Sequence, residues 1–429
     1  MSPPRRVLEP RHFGAFRCLG ADCEDTCCDG WAVTVDKPTY EKYRQHPDSA
    51  WRARFEQLIA INPAGAGDHD YARIELATTT CPFLSEGLCS IHQKLGEECL
   101  SVTCASFPRV WNVVDQVLEK SLDMGCPEAA RQALLDPDPM DFQERAIAES
   151  GPNGPEFSPA RVSVVNSASG VRPDKPYRHF GAVRAFVVWL LQNRAQPLWK
   201  RLLILGLFCD KLQEMAAGAG EAGIPALVQA YRDAVSAGLF EDTVNQLPAR
   251  PAVLLETVAE LILFRITSDF TNRKFLASYQ EFMDGLEWGA DSTMEQLASR
   301  YSAASAQYYT PFLSRHPHIL EHYLVNYVYR GLFPFGPQES TYGLRVQNIR
   351  RSIHTEFMLM AAYFAMVQTL LVGLAGFHKE SFGTEHVIRV IYTFTRTFEH
   401  SLAFPARLMQ TLAEKGLDNP AGVAVLVRN

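Results

Sequence analysis

The cysteines of this 429-residue chain lie almost entirely at one end, and no other feature constrains its fold as strongly. The run CEDTCCDGW, residues 23–31, alone holds three of them. No long apolar run follows the N-terminal arginines, which predicts that the chain has no secretory signal peptide and stays in the cytoplasm. Nine of the ten cysteines lie in the first 126 residues: Cys18, Cys23, Cys27, Cys28, Cys81, Cys89, Cys99, Cys104 and Cys126.

A cysteine group of this density has three explanations: a disulfide scaffold, a set of unconnected buried thiols, or a group of metal ligands. Disulfide scaffolds are typical of small secreted domains, whereas cytoplasmic thiols stay reduced. Nine unconnected thiols in one part of the chain are difficult to obtain by chance. Clustered thiolates select zinc or iron–sulfur clusters, because soft sulfur ligands suit those metals. We therefore predict that the N-terminal part of the chain binds a metal.

The spacing of the cysteines does not decide which metal is bound. Structural zinc sites usually carry two close pairs of ligands, and the C-x2-C pair occurs nowhere in this chain. An iron–sulfur cluster of the [4Fe-4S] type needs four thiolates. Eight or nine cysteines therefore suffice for one cluster with spare thiols, or for two metal centres.

Charge and hydropathy argue against nucleic acids and membranes as partners. The formal net charge of −7 argues against nucleic acid as the main partner, because phosphate binding favours a basic face. Residues 357–377, FMLMAAYFAMVQTLLVGLAGF, carry no charge and are long enough to span a bilayer. Gln368 and two glycines interrupt this run, and its flanks lack a basic bias, which favours a buried helix. We expect neither membrane insertion nor nucleic-acid binding.

Composition divides the chain into three parts and predicts a mostly α fold. Residues 1–135 form a small cysteine-rich metal-binding domain with two short strand candidates, Ala32–Val35 and Arg73–Leu76. Residues 136–180 are rich in proline, glycine, serine and asparagine, which predicts a linker or a long surface loop. Residues 181–429 show helical periodicity in nearly every segment and predict a large all-helical domain.

One predicted helix, in the segment ILEHYLVNYVYRGLF, combines polar and aromatic residues. His322, Asn326 and Arg330 recur every four residues and share one face, while Tyr323 and Tyr327 belong to the neighbouring stripe. A polar and aromatic wall of this kind is suited to hold a cofactor, so we predict these five as cofactor-binding residues. The alternative is a solvated helix face beside an apolar core stripe.

A second segment, FEHSLAF, places a carboxylate next to an imidazole. Glu399 and His400 are suited to act as a general base and its partner, and we predict them as catalytic residues. The alternative is that this pair lies on the surface without a chemical role.

The cysteine pattern resembles a known class of cysteine-cluster proteins, which are described as binding zinc or an iron–sulfur centre. Their pattern is C-x3-C-x2-CC…C-x-x-L…C-x-I/Y…C-x-x-Y-P. This chain offers C-x3-CC, then CPFLSEGLCSI, then CASFP. It departs from some members by one additional residue between Cys23 and Cys27, and by a longer spacer before Cys104.

Five longer segments are similar to those of one branch of that class, the flagellin lysine-N-methylases. They are CEDTCCDGWAVTVDKPTYEKY, LGEECLSVTCASFPRV, EKSLDMGCPEAARQALL, LQNRAQPLWKRLLILGLFCDKL and HPHILEHYLVNYVYRGLFPFG. The resemblance implies that a methyl group passes from S-adenosylmethionine to lysine side chains of flagellin. It also implies a [4Fe-4S] cluster, with zinc as the alternative metal. The ligand set so implied is Cys18, Cys23, Cys27, Cys28, Cys81, Cys89, Cys104 and Cys126, because Cys99 fits the pattern least well.

Lysine methylation makes chemical demands that the residues have to meet. The acceptor amine must be neutral, yet a free lysine has a pKa near 10.4, so the site must desolvate the amine or supply a base. The donor is a cationic sulfonium, which an aromatic or acidic pocket attracts. The cluster either accepts or polarises the methyl group, or it has a structural role. A non-enzymatic metal-binding module with a helical partner-binding domain remains the alternative from another class.

Overall fold

A computed structural model describes most of the chain and shows a mostly α protein, as predicted. The described residues are 6–29, 33–62, 67–76, 80–146, 162–169, 175–216, 220–268, 272–340 and 351–428. The strands are β1 Arg6–Pro10, β2 Thr34–Val35, β3 Ile59–Ile61, β4 Ala72–Ile74, β5 Leu84–Ser85, β6 Leu88–Cys89, β7 Arg109–Val114, β8 Val117–Leu122, β9 Phe142–Ala146, β10 Ser163–Val165 and β11 Glu339–Ser340.

The α-helices are numbered here in chain order over the same residues. They are α1 Arg11–Ala15, α2 Lys37–Arg44, α3 Ser49–Leu58, α4 Ser90–Leu95, α5 Val102–Ser106, α6 Pro127–Leu134, α7 Phe180–Leu191, α8 Leu198–Ala216, α9 Ile224–Ser236, α10 Glu241–Asn245, α11 Pro251–Thr267, α12 Arg273–Gly285, α13 Met294–Ala304, α14 Thr310–Arg315, α15 His318–Gly331, α16 Ile353–His378, α17 Thr384–Phe394, α18 Phe404–Glu414 and α19 Pro420–Val427. Two short π-helical segments, Ser305–Tyr309 and Thr395–Glu399, continue α13 and α17.

A six-stranded sheet joins segments between residues 6 and 340, in the order β11-β10-β7-β8-β1-β9. Its centre is the antiparallel β7–β8 hairpin, whose turn residues Asp115 and Gln116 have positive φ angles of 48° and 67°. Two consecutive left-handed residues give a turn whose twist matches that of the flanking strands. Strand β1 then pairs parallel to β8, and β10 pairs parallel to β7.

Part of this sheet lies where the sequence predicted other structure. Strands β9 and β10 fall inside residues 136–180, which were interpreted as a linker or surface loop, and β11 falls inside the domain predicted to be all-helical. These strands are short, and β9, with the sequence FQERA, is largely exposed. Strands this short do not show the alternation of apolar and polar residues that identifies a strand in a sequence. Their pairing partners are also remote in sequence. Residues 147–161 and 170–174 of the predicted linker lie outside the described residues.

The cysteine-rich part contains a three-stranded antiparallel sheet in the order β2-β4-β3. Strands β2 and β4 lie within or overlap the two predicted strand candidates, although Ala32 lies outside the described residues. An apolar cluster behind this sheet includes Val35, Tyr43, Phe55 and Phe83. Several of the cysteines pack against that cluster, so the thiols lie at the edge of a small core of their own.

Helix α16 forms the centre of the helical part. Every residue from Glu356 to Ala375 is buried, which confirms the buried helix that the sequence predicted there. By length and composition Ile353–Ser381 is the one helix of the described ranges that is apolar enough to cross a membrane, and its most apolar stretch is fully buried. Glycines allow α12 to approach closely, since a Cβ on Gly285 would stand 2.0 Å from the carbonyl oxygen of Gly373.

Helix α15 connects the sheet to the helical core and thereby positions the site. It packs against β8, α6, α7 and α16, and both of its faces are buried. The amide of Asn112, on β7, donates to the carbonyl oxygen of Tyr329 over 3.0 Å. Strand β7 is therefore held directly against α15.

Candidate functional site

Four thiols of the N-terminal part meet in space. The thiol of Cys28 forms hydrogen bonds with those of Cys27, Cys81 and Cys89. The ten cysteines all lie in the described ranges and none of them forms a disulfide, so the disulfide scaffold considered from the sequence is absent. The four residues come from two segments separated by more than fifty positions, and long-range folding brings them together.

Backbone pairing explains this convergence. The N–H of Cys81 donates to the carbonyl oxygen of Cys28 over 2.8 Å. The N–H of Leu84 in turn donates to the carbonyl oxygen of Cys81 over 2.9 Å, and Leu84 pairs with Cys89 across the β5–β6 hairpin. Gly87 supplies the left-handed turn residue of that hairpin, with a φ of 79°. The two segments are thus joined by main-chain bonds that do not depend on a ligand.

Hydrogen bonds within this group shift the pKa values of its thiols. Hydrogen bonding from Cys28 lowers the pKa of the Cys27 thiol to about 7 and that of Cys89 to about 6, and it lowers the pKa of Cys81 as well. The pKa of Cys28 is raised far above its usual value by the same three bonds. An arrangement with several thiolates around one thiol is an environment suited to a cation, because thiolate is the form that binds metals.

The remaining predicted ligands form a looser arrangement. Cys104, on α5, has the thiols of Cys89, Cys27 and Cys81 as electrostatic neighbours, and burial raises the pKa of its own thiol to about 12. A second set comprises Cys18, Cys23 and Cys126. Burial raises the pKa of the Cys23 and Cys126 thiols, and electrostatic interaction with Cys18 and with Cys23, respectively, raises it further. In the part of the chain that the structure describes, no three His, Cys, Asp or Glu side chains already stand in the geometry of a metal site.

A buried ionic network lies between the sheet and the helical part. One Nη of Arg330 donates to Asp123 over 2.7 Å, and the other contacts the carboxylate of Glu399. The hydroxyl of Tyr323 donates to Glu399 over 2.7 Å, and Nε2 of His400 lies 3.0 Å from Asp123. Four of the seven non-cysteine residues predicted for the site therefore belong to one hydrogen-bonded chain.

Asp123 is the centre of this network, and the sequence analysis missed it. Burial raises the pKa of its carboxyl, but His400, Arg330 and the N–H of Gly125 together hold that pKa well below its usual range. The space around it is filled, since a Cβ on Gly125 would stand 2.9 Å from an Asp123 oxygen. Little in the sequence identifies Asp123 as a site residue, because it is simply an acidic residue that follows strand β8, three positions before Cys126.

Of the other three predicted residues, two are buried and one is partly buried, which excludes the solvated helix face considered from the sequence. Nδ1 of His322 bonds the carbonyl oxygen of Ala133 over 3.0 Å, and the amide of Asn326 donates to that of Leu122 over 3.0 Å. Nε2 of His322 and Oδ1 of Asn326 have no hydrogen-bond partner among the described residues. Tyr327 is partly buried, and burial holds the pKa of its hydroxyl well above the ordinary value.

Two concave features differ greatly in size. A cavity of about 20 Å³ is lined by His12, Asp136 and His322 among others, and its volume suits a single water molecule. A cleft of about 570 Å³ is lined by Trp189, Arg194 and other residues at the ends of α7 and α9. Small-molecule sites typically measure about 300–1,000 Å³, so the cleft has the volume for a nucleoside-bearing donor and the cavity does not.

Comparison with known proteins identifies the family. The model of the family described as FliB lysine N-methylase C-terminal domain matches residues 184–426, more than half of the chain. The chain belongs to the FliB lysine N-methylase family. This match confirms the resemblance to flagellin lysine-N-methylases that five segments of the sequence indicated. It includes Tyr323, Arg330, Glu399 and His400, and leaves the nine N-terminal cysteines and Asp123 outside the matched range.

Curated relatives agree with this family assignment. Lysine-N-methylases of Salmonella choleraesuis (strain SC-B67) and Salmonella typhimurium (strain LT2) are each 34% identical to this FliB-family chain over 161 residues. Those alignments cover 37% of this chain and 40% of the length of either relative. The flagellar biosynthetic protein FliU of Salmonella muenchen is 35% identical over 140 residues, which cover 32% of this chain and 83% of FliU. No solved structure matches the chain significantly.

Proposed function

We propose that this protein is a cytoplasmic lysine N-methyltransferase that transfers a methyl group from S-adenosylmethionine to lysine side chains of flagellin. Membership of the FliB lysine N-methylase family carries this proposal. The names of the relatives support its two halves, since two are called lysine-N-methylases and one a flagellar biosynthetic protein. The buried network beside the thiols supplies groups that such a reaction needs.

The reaction needs a base, and His400 is our candidate. In the transfer, the bond between the donor sulfur and the methyl carbon breaks while a bond from the lysine nitrogen to that carbon forms. The lysine ammonium must first lose a proton. Nε2 of His400 lies within hydrogen-bond distance of both oxygens of Asp123, so the Nε2–H donates to that carboxylate. In a neutral ring, the Nδ1 lone pair is then the basic site, and it takes the proton.

Asp123 and Glu399 have supporting roles in this proposal. A buried carboxylate that accepts from an imidazole fixes its tautomer and stabilises the imidazolium that forms. Glu399 accepts from Tyr323 and Arg330, and Thr395 lies 3.3 Å away, so its acceptor positions are occupied by protein groups. We therefore assign Glu399 to holding Arg330 and Tyr323 in place, and the proton transfer to His400.

The thiol group fits a [4Fe-4S] cluster in number and chemistry. Four thiolates hold such a cluster, and Cys27, Cys28, Cys81 and Cys89 are four sulfurs already in contact. The Cys28 thiol stands at the centre of that contact, so the sulfurs have to open around the bound group. When bound, the cluster would supply an iron or sulfide that polarises the methyl group, or it would have the structural role of holding the cysteine-bearing segments together. Zinc remains the alternative, because four thiolates also satisfy its tetrahedral geometry.

The methyl donor has two candidate locations. The five residues predicted from α15 offer two unpartnered buried atoms, Nε2 of His322 and Oδ1 of Asn326, but the adjacent cavity is small. The cleft beside Trp189 has the volume, although the guanidinium of Arg232 already lies over the Trp189 ring, 4.7 Å from its centroid. We propose the cleft as the entry site of the donor and retain the α15 residues as a prediction for its contacts.

Co-expression with flagellin tests the proposal. Mass spectrometry of flagellin produced with the wild-type chain should show methylated lysines, and flagellin produced with a His400→Ala variant should show few. Anaerobic purification supplies the second observation: a brown protein that binds S-adenosylmethionine supports the enzyme. A colourless zinc protein that ignores the donor, together with unmodified flagellin, supports the non-enzymatic metal-binding module instead.

A further inference from the structure

Arg396 is a buried cation whose partners lie in the cysteine-rich part. It belongs to the π-helical segment Thr395–Glu399, and none of its side chain is exposed. Its Nε donates to the carbonyl oxygen of Gly125 over 2.6 Å, and Nη1 donates to that of Thr26 over 2.9 Å. π-Helical turns occur frequently at functional sites, and this one carries both Glu399 and Arg396.

The partners of Arg396 are the immediate neighbours of two predicted metal ligands. Thr26 precedes Cys27, and Gly125 precedes Cys126. Nη1 of Arg396 also lies 3.1 Å from the carboxylate of Asp25, whose side chain is 7% exposed. One guanidinium therefore ties together the two loops that present these thiols.

The same guanidinium acts on the thiols through its charge. It is among the causes that lower the pKa of the Cys27 thiol, after hydrogen bonding by Cys28. It also opposes the effect of burial, which raises the pKa of Cys23 and brings that of Cys126 to about 12. The charge of Arg396 therefore acts to lower thiol pKa values in both the four-thiol group and the second set of thiols.

We propose that Arg396 is the positioning residue of the metal site: it fixes the loops of Cys27 and Cys126 against the helical part and supplies the buried positive charge that the bound group senses. This inference rests on the proposed function, since it presumes that the thiols hold an iron–sulfur cluster. It goes further by assigning a residue outside the cysteines that sets the properties of the cluster.

A buried cation has a definite effect on a redox-active cluster. The cluster gains one negative charge on one-electron reduction, and a nearby cation stabilises the reduced form more than the oxidised form. Net charge and hydrogen bonds around the sulfurs are known determinants of such potentials. Replacing Arg396 by methionine should therefore favour the oxidised form. We expect a change of about tenfold or more in the reduction equilibrium, or about 59 mV for one electron.

The experiment compares variants of the full-length protein purified without oxygen. Iron content is measured first, and the midpoint potential is then determined by a redox titration followed by electron paramagnetic resonance. Arg265→Met is the matched control, because Nε of Arg265 donates to the carbonyl oxygen of Thr397, in the same π-helical turn, over 2.6 Å. It loses a buried arginine and disturbs that turn at Thr397, whereas Arg396 bonds the carbonyl oxygens of Thr26 and Gly125.

Two further variants separate charge from packing. Arg396→Lys keeps the charge, so its potential should stay within about threefold of wild type in the reduction equilibrium, or roughly 30 mV for one electron. Asp25→Asn removes a negative charge near the thiols, so it should raise the potential, in the direction opposite to Arg396→Met. A loss of packing alone would move the potential of Arg396→Met and Asp25→Asn in the same direction. If Arg396→Met does not fold, Arg396→Gln takes its place, because it also removes the charge while its amide can still donate to a loop carbonyl; an unchanged potential in it would overturn the role of Arg396.

The outcomes for the two proposals are distinct. Wild-type protein without iron would overturn the proposed cluster itself. Wild-type protein with a cluster whose potential is unchanged in Arg396→Met, or lowered equally in Arg265→Met, would overturn the role of Arg396 alone. A lower potential in Arg396→Met, restored in Arg396→Lys and reversed in Asp25→Asn, is the expected result.

Discussion

Replacing Arg330 by methionine removes the cation that Asp123 and Glu399 share. The side chains of these two carboxylates are only 11% and 4% exposed, so water cannot readily replace the guanidinium. Asp123 would keep His400 and the N–H of Gly125, and Glu399 would keep the Tyr323 hydroxyl. The variant therefore loses two charge-assisted hydrogen bonds rather than the whole network.

The size of the effect follows from burial. A hydrogen bond to a charged group contributes about 1.5–3 kcal/mol, and breaking a buried ion pair by removing one partner costs about 3–5 kcal/mol. We expect Arg330→Met to lower the free energy of unfolding by about 3–5 kcal/mol near neutral pH. Lys211→Met is the matched control, because the Lys211–Glu214 pair is 53% and 66% exposed and should contribute less than about 1 kcal/mol.

The effect also has a pH dependence with a definite sign. The folded-state pKa of Asp123 lies below its unfolded value of about 3.9, partly because of Arg330. Its contribution to stability is therefore present above the unfolded pKa and is lost as the pH falls below about 4 towards the folded pKa. The depression is smaller in Arg330→Met, so the stability difference between wild type and variant should narrow as the pH falls.

Urea unfolding of both proteins, followed by tryptophan fluorescence near neutral pH and at about pH 2–3, inside the window in which Asp123 loses its contribution, measures both quantities. A difference below about 1 kcal/mol at neutral pH would refute the view that this network is closed to water. A difference that stays constant or widens on acidification would refute the assignment of the low pKa to Asp123.

Three further results are expected. Cys28→Ser should lose most of the bound iron, whereas Cys99→Ser should retain it because Cys99 lies outside the predicted ligand set; equal iron contents would contradict the ligand assignment. Gly373→Ala should lower the unfolding free energy by about 1–3 kcal/mol, because its Cβ would stand 2.3 Å from the ring of Phe282; an unchanged melting temperature would contradict this close approach. Titration with S-adenosylmethionine should change the fluorescence of wild type more than that of Trp189→Phe, and equal changes would place the donor outside the cleft.

Much of the fold could be predicted from local patterns. Helical periodicity identified the large helical part, and the length and burial of α16 agree with a core helix rather than a membrane span. The strands of the six-stranded sheet were harder to predict, because β10 has three residues and pairs with β7 and β11 at remote positions. A short strand has too few residues to show a period, and its partners decide whether it forms.

The candidate site was predicted in pieces. Tyr323 and Arg330 followed from helical spacing, and Glu399 and His400 from the adjacency of an acid and an imidazole. Their convergence did not follow, and neither did Asp123, whose bond to His400 spans 277 positions in the chain. The alternatives of a solvated helix face and a surface pair were wrong because of long-range packing that local sequence does not show. The sheet packs against α15 and covers it.

The amino-acid sequence by itself determined which chemistry the chain carries: thiols concentrated near the N-terminus, apolar helices after them, and segments typical of its family. Only the tertiary structure decided which of these groups meet. It brought three thiols around that of Cys28 and placed Asp123, Arg330 and Arg396 between the two parts of the chain. Local sequence encodes the type of ligand and the period of a helix, whereas the pairing of buried charges depends on packing between segments that are hundreds of residues apart.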